Sequence, residues 1–159
     1  MYISPPDRPE KLYRRGREVI PQFDSAEPLF MRYSAENFVE GQLLPSAIRS
    51  QLKQSVNRGS LSEPEDVLFS ETGEYNGLGV VGFPVSAIPA KVDQNEGPSF
   101  SFFVRHEPEE LNYSHSEIWS DHHPSTGEYR RPNKTVSAAF RIRLCQSIGT
   151  DQIKIKAAR

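Results

Sequence analysis

Four short runs along the chain have the apolar pattern of β-strands. Residues 29–33 form a compact apolar run around Arg32, and residues 78–85 are rich in valine and glycine. Residues 99–104 first alternate and then become continuously apolar, whereas residues 114–119 alternate throughout. Period-2 alternation and short apolar runs bounded by turn residues are typical of strands, so each run predicts one.

Three other stretches have helical features. Residues 62–69 begin with an S-x-x-E capping box from Ser62 to Glu65, and residues 46–52 predict a brief helix. Residues 135–148 fit a helix capped by Asn133 or Thr135, although part of this stretch also alternates like a strand; its length and caps favour the helix. We therefore predict one α+β domain, with a small, mostly antiparallel sheet and two or three short helices.

The ends of the chain differ in character. Three prolines within residues 1–10 predict a flexible, extended arm, and residues 11–159 have the length of a single globular domain. Residues 152–156 alternate briefly and predict either a final edge strand or a frayed tail.

Composition narrows the possible functions. The formal net charge is −2, which disfavours strong binding to duplex DNA because each phosphate contact requires a basic side chain. The single cysteine, Cys145, excludes an intramolecular disulfide scaffold. Neither a signal peptide nor an apolar run of about 20 residues is present, so we expect a cytoplasmic protein that does not bind membranes.

All four histidines lie within residues 105–123. His106 directly follows a predicted strand, whereas alternation places His115, Glu117 and Tyr113 on one face of the next strand. Imidazoles near neutrality can act as the base and acid in phosphodiester chemistry. We therefore predict a metal-free cleft in which His106, His115 and Glu117 are catalytic.

An arginine is needed in such a cleft to stabilise developing negative charge. Arg58 is the predicted catalytic arginine, and Arg32, Ser55, Asn57 and Tyr113 are the predicted ligand-binding residues. The expected ligand carries phosphate, as a nucleotide or RNA does, and a toxin-like or defence-related role would fit it. No particular cofactor is indicated.

Three alternatives remain open. A metal could be bound by His106, His115 and Glu117, although that spacing is not an established zinc signature, or by Asp121, His122 and His123, which precede Pro124 and have the pattern of an exposed turn. Arg32, Ser55 and either Glu117 or Glu65 follow the loose order by which ADP-ribosyl-transferring folds bind NAD. A non-enzymatic module that binds a protein partner, as an immunity protein or antitoxin does, is the third.

Three stretches resemble a group of small bacterial proteins for which no activity is established. They are Ser-Val-Asn-Arg at 55–58 followed by Pro64-Glu65, Gly-Val-Val at 79–81, and Asn-Tyr-Ser-His-Ser-Glu-Ile at 112–118. The resemblance implies that Arg58 and His115 belong to one constellation of residues.

Overall fold

A computed structural model describes residues 8–123 and 126–158, which contain nine strands and one α-helix. The strands are β1 (Pro28–Tyr33), β2 (Phe38–Val39), β3 (Gln42–Leu43), β4 (Gln54–Arg58), β5 (Gly79–Pro84), β6 (Lys91–Val92), β7 (Phe100–His106), β8 (His115–Asp121) and β9 (Ile153–Ile155). The helix α1 spans Lys134–Gln146. Short 3₁₀ helices cover Glu10–Leu12, Ala35–Asn37, Pro45–Ala47, Pro64–Leu68, Val85–Ala87 and Thr150–Gln152.

Seven strands form one antiparallel sheet in the order β6-β7-β8-β4-β1-β5-β9, and β2 pairs with β3 in a separate hairpin. The four strands predicted from hydrophobic pattern are confirmed as β1, β5, β7 and β8. Strand β4, at the centre of the sheet, has the sequence Gln-Ser-Val-Asn-Arg, which contains too few apolar residues to show a strand pattern.

The prediction of a small sheet with two or three short helices is wrong. The sheet is large, and α1 is the one α-helix in the described part of the chain. Residues 62–69 form only the 3₁₀ helix Pro64–Leu68, in which Asp66 caps the N–H of Glu63 at 2.7 Å. Residues 46–52 likewise form no α-helix, because segments this short cannot offset the cost of helix nucleation.

Helix α1 begins and packs as its sequence predicts. The Asn133 side chain caps it by accepting the N–H of Val136 at 2.9 Å. Phe140 is fully buried and stacks on Phe102 of β7, with ring centroids 4.1 Å apart. This contact joins the helix to one side of the sheet, which we call the inner face.

Alternation along the strands assigns residues to the two faces. The inner face carries the main apolar core, including Met31, Val56 and Ile118. The opposite, outer face carries Phe30 and Val80, which pack with Val67 of the 3₁₀ helix Pro64–Leu68 into a smaller cluster. The outer face is therefore only partly covered.

Of the predicted N-terminal arm, residues 1–7 lie outside the described residues. The arm continues into packed structure, because the guanidinium of Arg8 lies 3.8 Å from the ring centre of Phe69 and Leu12 is fully buried. The alternating segment near the C-terminus is β9, an edge strand beside β5. None of the helices described is long and apolar enough to cross a membrane.

Candidate functional site

The residues predicted to form one cleft lie on both faces of the sheet. In the β4–β8 ladder, Asn57 is opposite His115 and Ser55 is opposite Glu117, which places these four on the outer face. In the neighbouring ladders, His106 is opposite Ser116 and Arg58 is opposite Leu29, both on the inner side. Successive side chains of a strand point to opposite faces, so this division follows from the register.

Arg58 is fully engaged in a buried ion pair. Its guanidinium donates two hydrogen bonds to the carboxylate of Glu27, at 2.9 and 2.8 Å. It also donates to the carbonyls of Ile20 and Gln22, at 2.8 and 2.7 Å, and it stacks on Phe23. Burial alone would raise the pKa of Glu27, but hydrogen bonds from Arg58 and Ser60 and the charge of Arg58 lower it below its ordinary value.

Both ring nitrogens of His106 are also occupied by hydrogen bonds. Its Nδ1 accepts the N–H of Ile20 at 2.9 Å, and its Nε2 donates to the carbonyl of Tyr113 at 2.6 Å. The Tyr113 ring packs edge-on against the imidazole and its hydroxyl donates to the backbone carbonyl of Glu18, so the contacts of Tyr113 are also structural. We call Arg58, Glu27, His106 and Tyr113 the clamp, because together they fasten residues 18–22 to the sheet.

The fold therefore does not bring the side chains of Arg58, His106 and His115 together, contrary to the prediction. The polar contacts of Arg58 and His106 are internal to the clamp, and the sheet separates them from the side chain of His115. Cooperating catalytic groups must converge on one reacting atom. The side chains of Arg58 and His115, which the resemblance implied to act together, lie on opposite faces of the sheet.

A different set of predicted residues does come together, in a cleft of about 530 Å³ on the outer face. His115 is one of the residues that line it. The Nδ1 of His115 is 2.7 Å from the carbonyl oxygen of Glu107, which can only accept, so in the neutral ring Nδ1 carries the proton. Its Nε2 then has a free lone pair, and the hydroxyl of Ser55 lies 3.1 Å away.

Asn57 adds a hydrogen-bond donor beside this pair. Its side chain is 1% exposed and lines the cleft, and its Oδ1 accepts from Asn112 at 2.8 Å. Its Nδ2 has no acceptor among the described residues. A buried polar group without a partner is uncommon and costly, which makes this amide a candidate contact for a ligand.

Arg32 also lines the cleft, as expected for an arginine within an apolar run. One of its nitrogens donates to the carbonyl of Val67 at 2.8 Å, and its guanidinium stacks on the ring of Tyr75 at 3.8 Å. These contacts hold the side chain in place and use only part of its donors. Arg32 can therefore both support the wall of the cleft and bind a ligand.

Glu117 lies on the same face but outside the cleft. Its carboxylate accepts the indole N–H of Trp119 at 3.1 Å. Opposite it on β7, Arg105 stacks on Trp119 at 4.1 Å. Glu117 is thus placed to orient Trp119 and not to meet a ligand beside His115.

The cleft is acidic overall. Five carboxylates and two guanidinium groups line it: Asp66, Glu71, Glu74, Glu109 and Glu110 against Arg8 and Arg32. Lys11 pairs with Asp66 at 3.0 Å, and the four glutamates are exposed at the rim. Such a field favours ligands that are neutral or positively charged near the rim.

Neither of the two alternative metal sites has supporting geometry among the described residues. Within residues 8–123 and 126–158, no group of three or more histidine, cysteine, aspartate or glutamate side chains is placed to hold a metal ion. Cys145 is buried, and burial raises the pKa of its thiol to about 11, so little reactive thiolate is present near neutral pH.

Comparison with known proteins finds no match to a family model, to a curated protein or to a solved structure. The resemblance to small bacterial proteins remains a prediction.

Proposed function

We propose that the outer-face cleft is a hydrolytic site in which Ser55 is the nucleophile and His115 the general base, acting on a small carboxylic ester. The observation that carries the proposal is the hydrogen bond of 3.1 Å between Ser55 Oγ and His115 Nε2, with the other ring nitrogen fixed by Glu107. A nucleophile, a base and a group that orients the base are the elements of Ser–His catalysis.

The reaction would proceed through an acyl-enzyme. Ser55 Oγ attacks the carbonyl carbon of the ester while its proton passes to His115 Nε2. The tetrahedral intermediate carries an oxyanion, to which the free N–H of Asn57 Nδ2 donates. Collapse of this intermediate expels the alcohol, which takes the proton from His115, and leaves Ser55 acylated.

Water completes the cycle. His115 removes a proton from a water molecule that attacks the acyl group. Collapse of the second tetrahedral intermediate releases a carboxylic acid, and the imidazolium of His115 returns the proton to Ser55 Oγ. The carbonyl of Glu107 holds the Nδ1 proton throughout, so the ring keeps the same orientation as base and as acid. It stabilises the imidazolium less than a carboxylate would.

The charge of the cleft defines the preferred substrate. Carboxylates outnumber guanidinium groups among the lining residues, so a neutral or cationic ester suits the rim better than a phosphate-bearing ligand. Arg32 remains available for one polar or anionic group at the wall of the cleft. A nucleotide or RNA substrate at this position stays a prediction that the charges of the cleft do not favour.

Covalent labelling tests the proposal directly. A fluorophosphonate probe reacts with activated serines, and we expect a phosphonyl adduct on Ser55 located by peptide mass spectrometry. His115→Asn keeps a donor for Glu107 but removes the base, so labelling and p-nitrophenyl acetate hydrolysis should both fall by about 10²-fold or more.

Ser101→Ala is the matched control. Ser101 is another half-buried serine of the outer face, on β7, but it does not line the cleft. It should leave labelling and turnover unchanged, whereas Ser55→Ala should abolish the adduct. A wild-type protein that neither labels at Ser55 nor exceeds Ser55→Ala in turnover would refute the proposal and favour the protein-interaction module.

A further inference from the structure

A second cavity, of about 730 Å³, lies at the start of α1, the helix that packs on the inner face of the sheet. Phe100, whose side chain belongs to the inner face of β7, and the first two turns of α1 line it. Residues 131–134 form its edge. A cavity of this size can enclose much of a small ligand.

Its lining is basic, in contrast to that of the cleft. Three cationic side chains line it, Arg131, Lys134 and Arg141, and none of its lining residues is acidic. In the described part of the chain, no carboxylate lies within ion-pair distance of these three groups. Positive charge that is gathered in a concave site without counter-charges of its own attracts anions.

The polar atoms around the cavity add directional donors. Asn133 caps the N–H of Val136, which leaves the backbone N–H groups of Lys134 and Thr135 without a partner inside the helix. Unpaired N–H groups and the positive end of the helix dipole favour bound anions. The hydroxyl of Ser137 donates to the backbone carbonyl of Ser50 and accepts from Arg141 Nε, so Arg141 is held in position.

His122 supplies an observation that is independent of the helix. Its ring lies against Phe100, with centroids 3.9 Å apart, and its Nδ1 is buried without a hydrogen-bond partner among the described residues. The residue also lines the cavity. An imidazole nitrogen that is removed from water and unsatisfied is expected to find its partner in a ligand or a bound water.

We infer that this cavity binds the phosphate group of a small phosphorylated molecule. Three cations in a concave site suit one or two phosphate groups, whereas a nucleic-acid polymer needs a longer track of basic side chains than a chain of net charge −2 offers. The inference does not depend on the proposed hydrolytic function, because the two sites share no lining residue.

Titration with inorganic pyrophosphate, followed by ¹H–¹⁵N NMR at constant ionic strength, tests this site. We expect saturable shifts of the Lys134 and Thr135 amides at submillimolar pyrophosphate. The double variant Arg131→Gln/Lys134→Gln should raise the Kd at least about tenfold, because it removes two charge-assisted contacts. Both side chains are exposed, so the thermal unfolding midpoint should not change.

Arg143→Gln is the matched control, since Arg143 is an exposed cation of the same helix that does not line the cavity. It should change the Kd by less than about twofold. Shifts that do not saturate, shifts centred on Ser55 and Asn57 instead, or equal weakening by Arg143→Gln and the double variant would each overturn the inference.

Discussion

His106 and His115 stand nine positions apart on neighbouring strands of one sheet, and each has both ring nitrogens hydrogen bonded. Their partners differ. Both partners of His106 are backbone groups, of Ile20 and Tyr113, and the residue is 3% exposed. His115 has one backbone partner and one hydroxyl, that of Ser55, at the wall of a cleft.

The difference decides what each ring can do. A buried histidine whose nitrogens are both hydrogen bonded to main-chain groups stabilises the fold and has no lone pair or proton for a ligand. A histidine with one nitrogen fixed and the other facing a hydroxyl is oriented for proton transfer. We therefore expect substitutions in the clamp to lower the stability of the fold, and substitutions in the cleft to affect the proposed reaction.

The largest effect should come from Arg58→Ala in the clamp. Removing one partner of a buried, hydrogen-bonded ion pair leaves the Glu27 carboxylate uncompensated, which costs about 3–5 kcal/mol. Urea denaturation should show this loss of unfolding free energy. Arg105→Ala is the control, because Arg105 forms a half-exposed pair with Glu107, and its loss should cost about 1 kcal/mol or less. Equal losses in the two variants would contradict the structural role of the clamp.

Replacing His106 should lower the unfolding free energy, whereas replacing His115 should abolish the reactivity of Ser55. His106→Ala leaves the buried carbonyl of Tyr113 without a partner, which costs about 1–3 kcal/mol, and it also removes the partner of the partly buried N–H of Ile20. His115→Asn retains a donor for Glu107 beside a cleft that water enters, so its unfolding free energy should change by only about 1 kcal/mol. Denaturation curves and labelling at Ser55, measured on both variants, should give destabilisation for the first and lost labelling for the second.

The pH dependence of the unfolding free energy should reveal the lowered pKa of His106. Burial, together with the charges of Arg58 and Arg14, lowers the pKa of His106 below its ordinary value of 6.5 despite its hydrogen bond to Tyr113 and the charge of Glu27. The folded protein keeps this ring neutral, whereas the unfolded chain binds a proton near pH 6.5. Between the two pKa values the unfolded state holds more protons, so stability is full above pH 6.5 and is lost as the pH falls through the folded pKa.

One such group changes the unfolding free energy by at most about 1.4 kcal/mol per pH unit. Urea midpoints measured between about pH 7.5 and 5.5 should therefore decline in the wild type. They should decline less in His106→Gln, which lacks the titrating ring. An identical decline in both would mean that another group governs this range. Glu27, whose pKa is also lowered, contributes in the same direction only at more acidic pH, below its ordinary value of 4.5.

Local pattern was sufficient for much of the architecture. Apolar runs located β1, β5, β7 and β8, and Asn133 marked the start of α1, because burying one face of a strand or helix imposes a period on the sequence. The capping signal at Ser62 was followed by too few residues to sustain a helix, and a 3₁₀ turn resulted. β4 has no apolar pattern, although it lies between β8 and β1 and carries three of the predicted site residues, Ser55, Asn57 and Arg58.

Residue type alone indicated Ser55, Asn57, Arg32 and His115 as candidate site residues. Alternation alone placed His115 and Glu117 on one strand face. Only the tertiary structure decided which of them meet. Ser55 and His115 are sixty positions apart, and the register of β4 against β8 makes them neighbours. The registers of β4 and β7 in the same sheet place Arg58 and His106 on its other side. No local pattern encodes that pairing, because register is set by the burial of both faces at once.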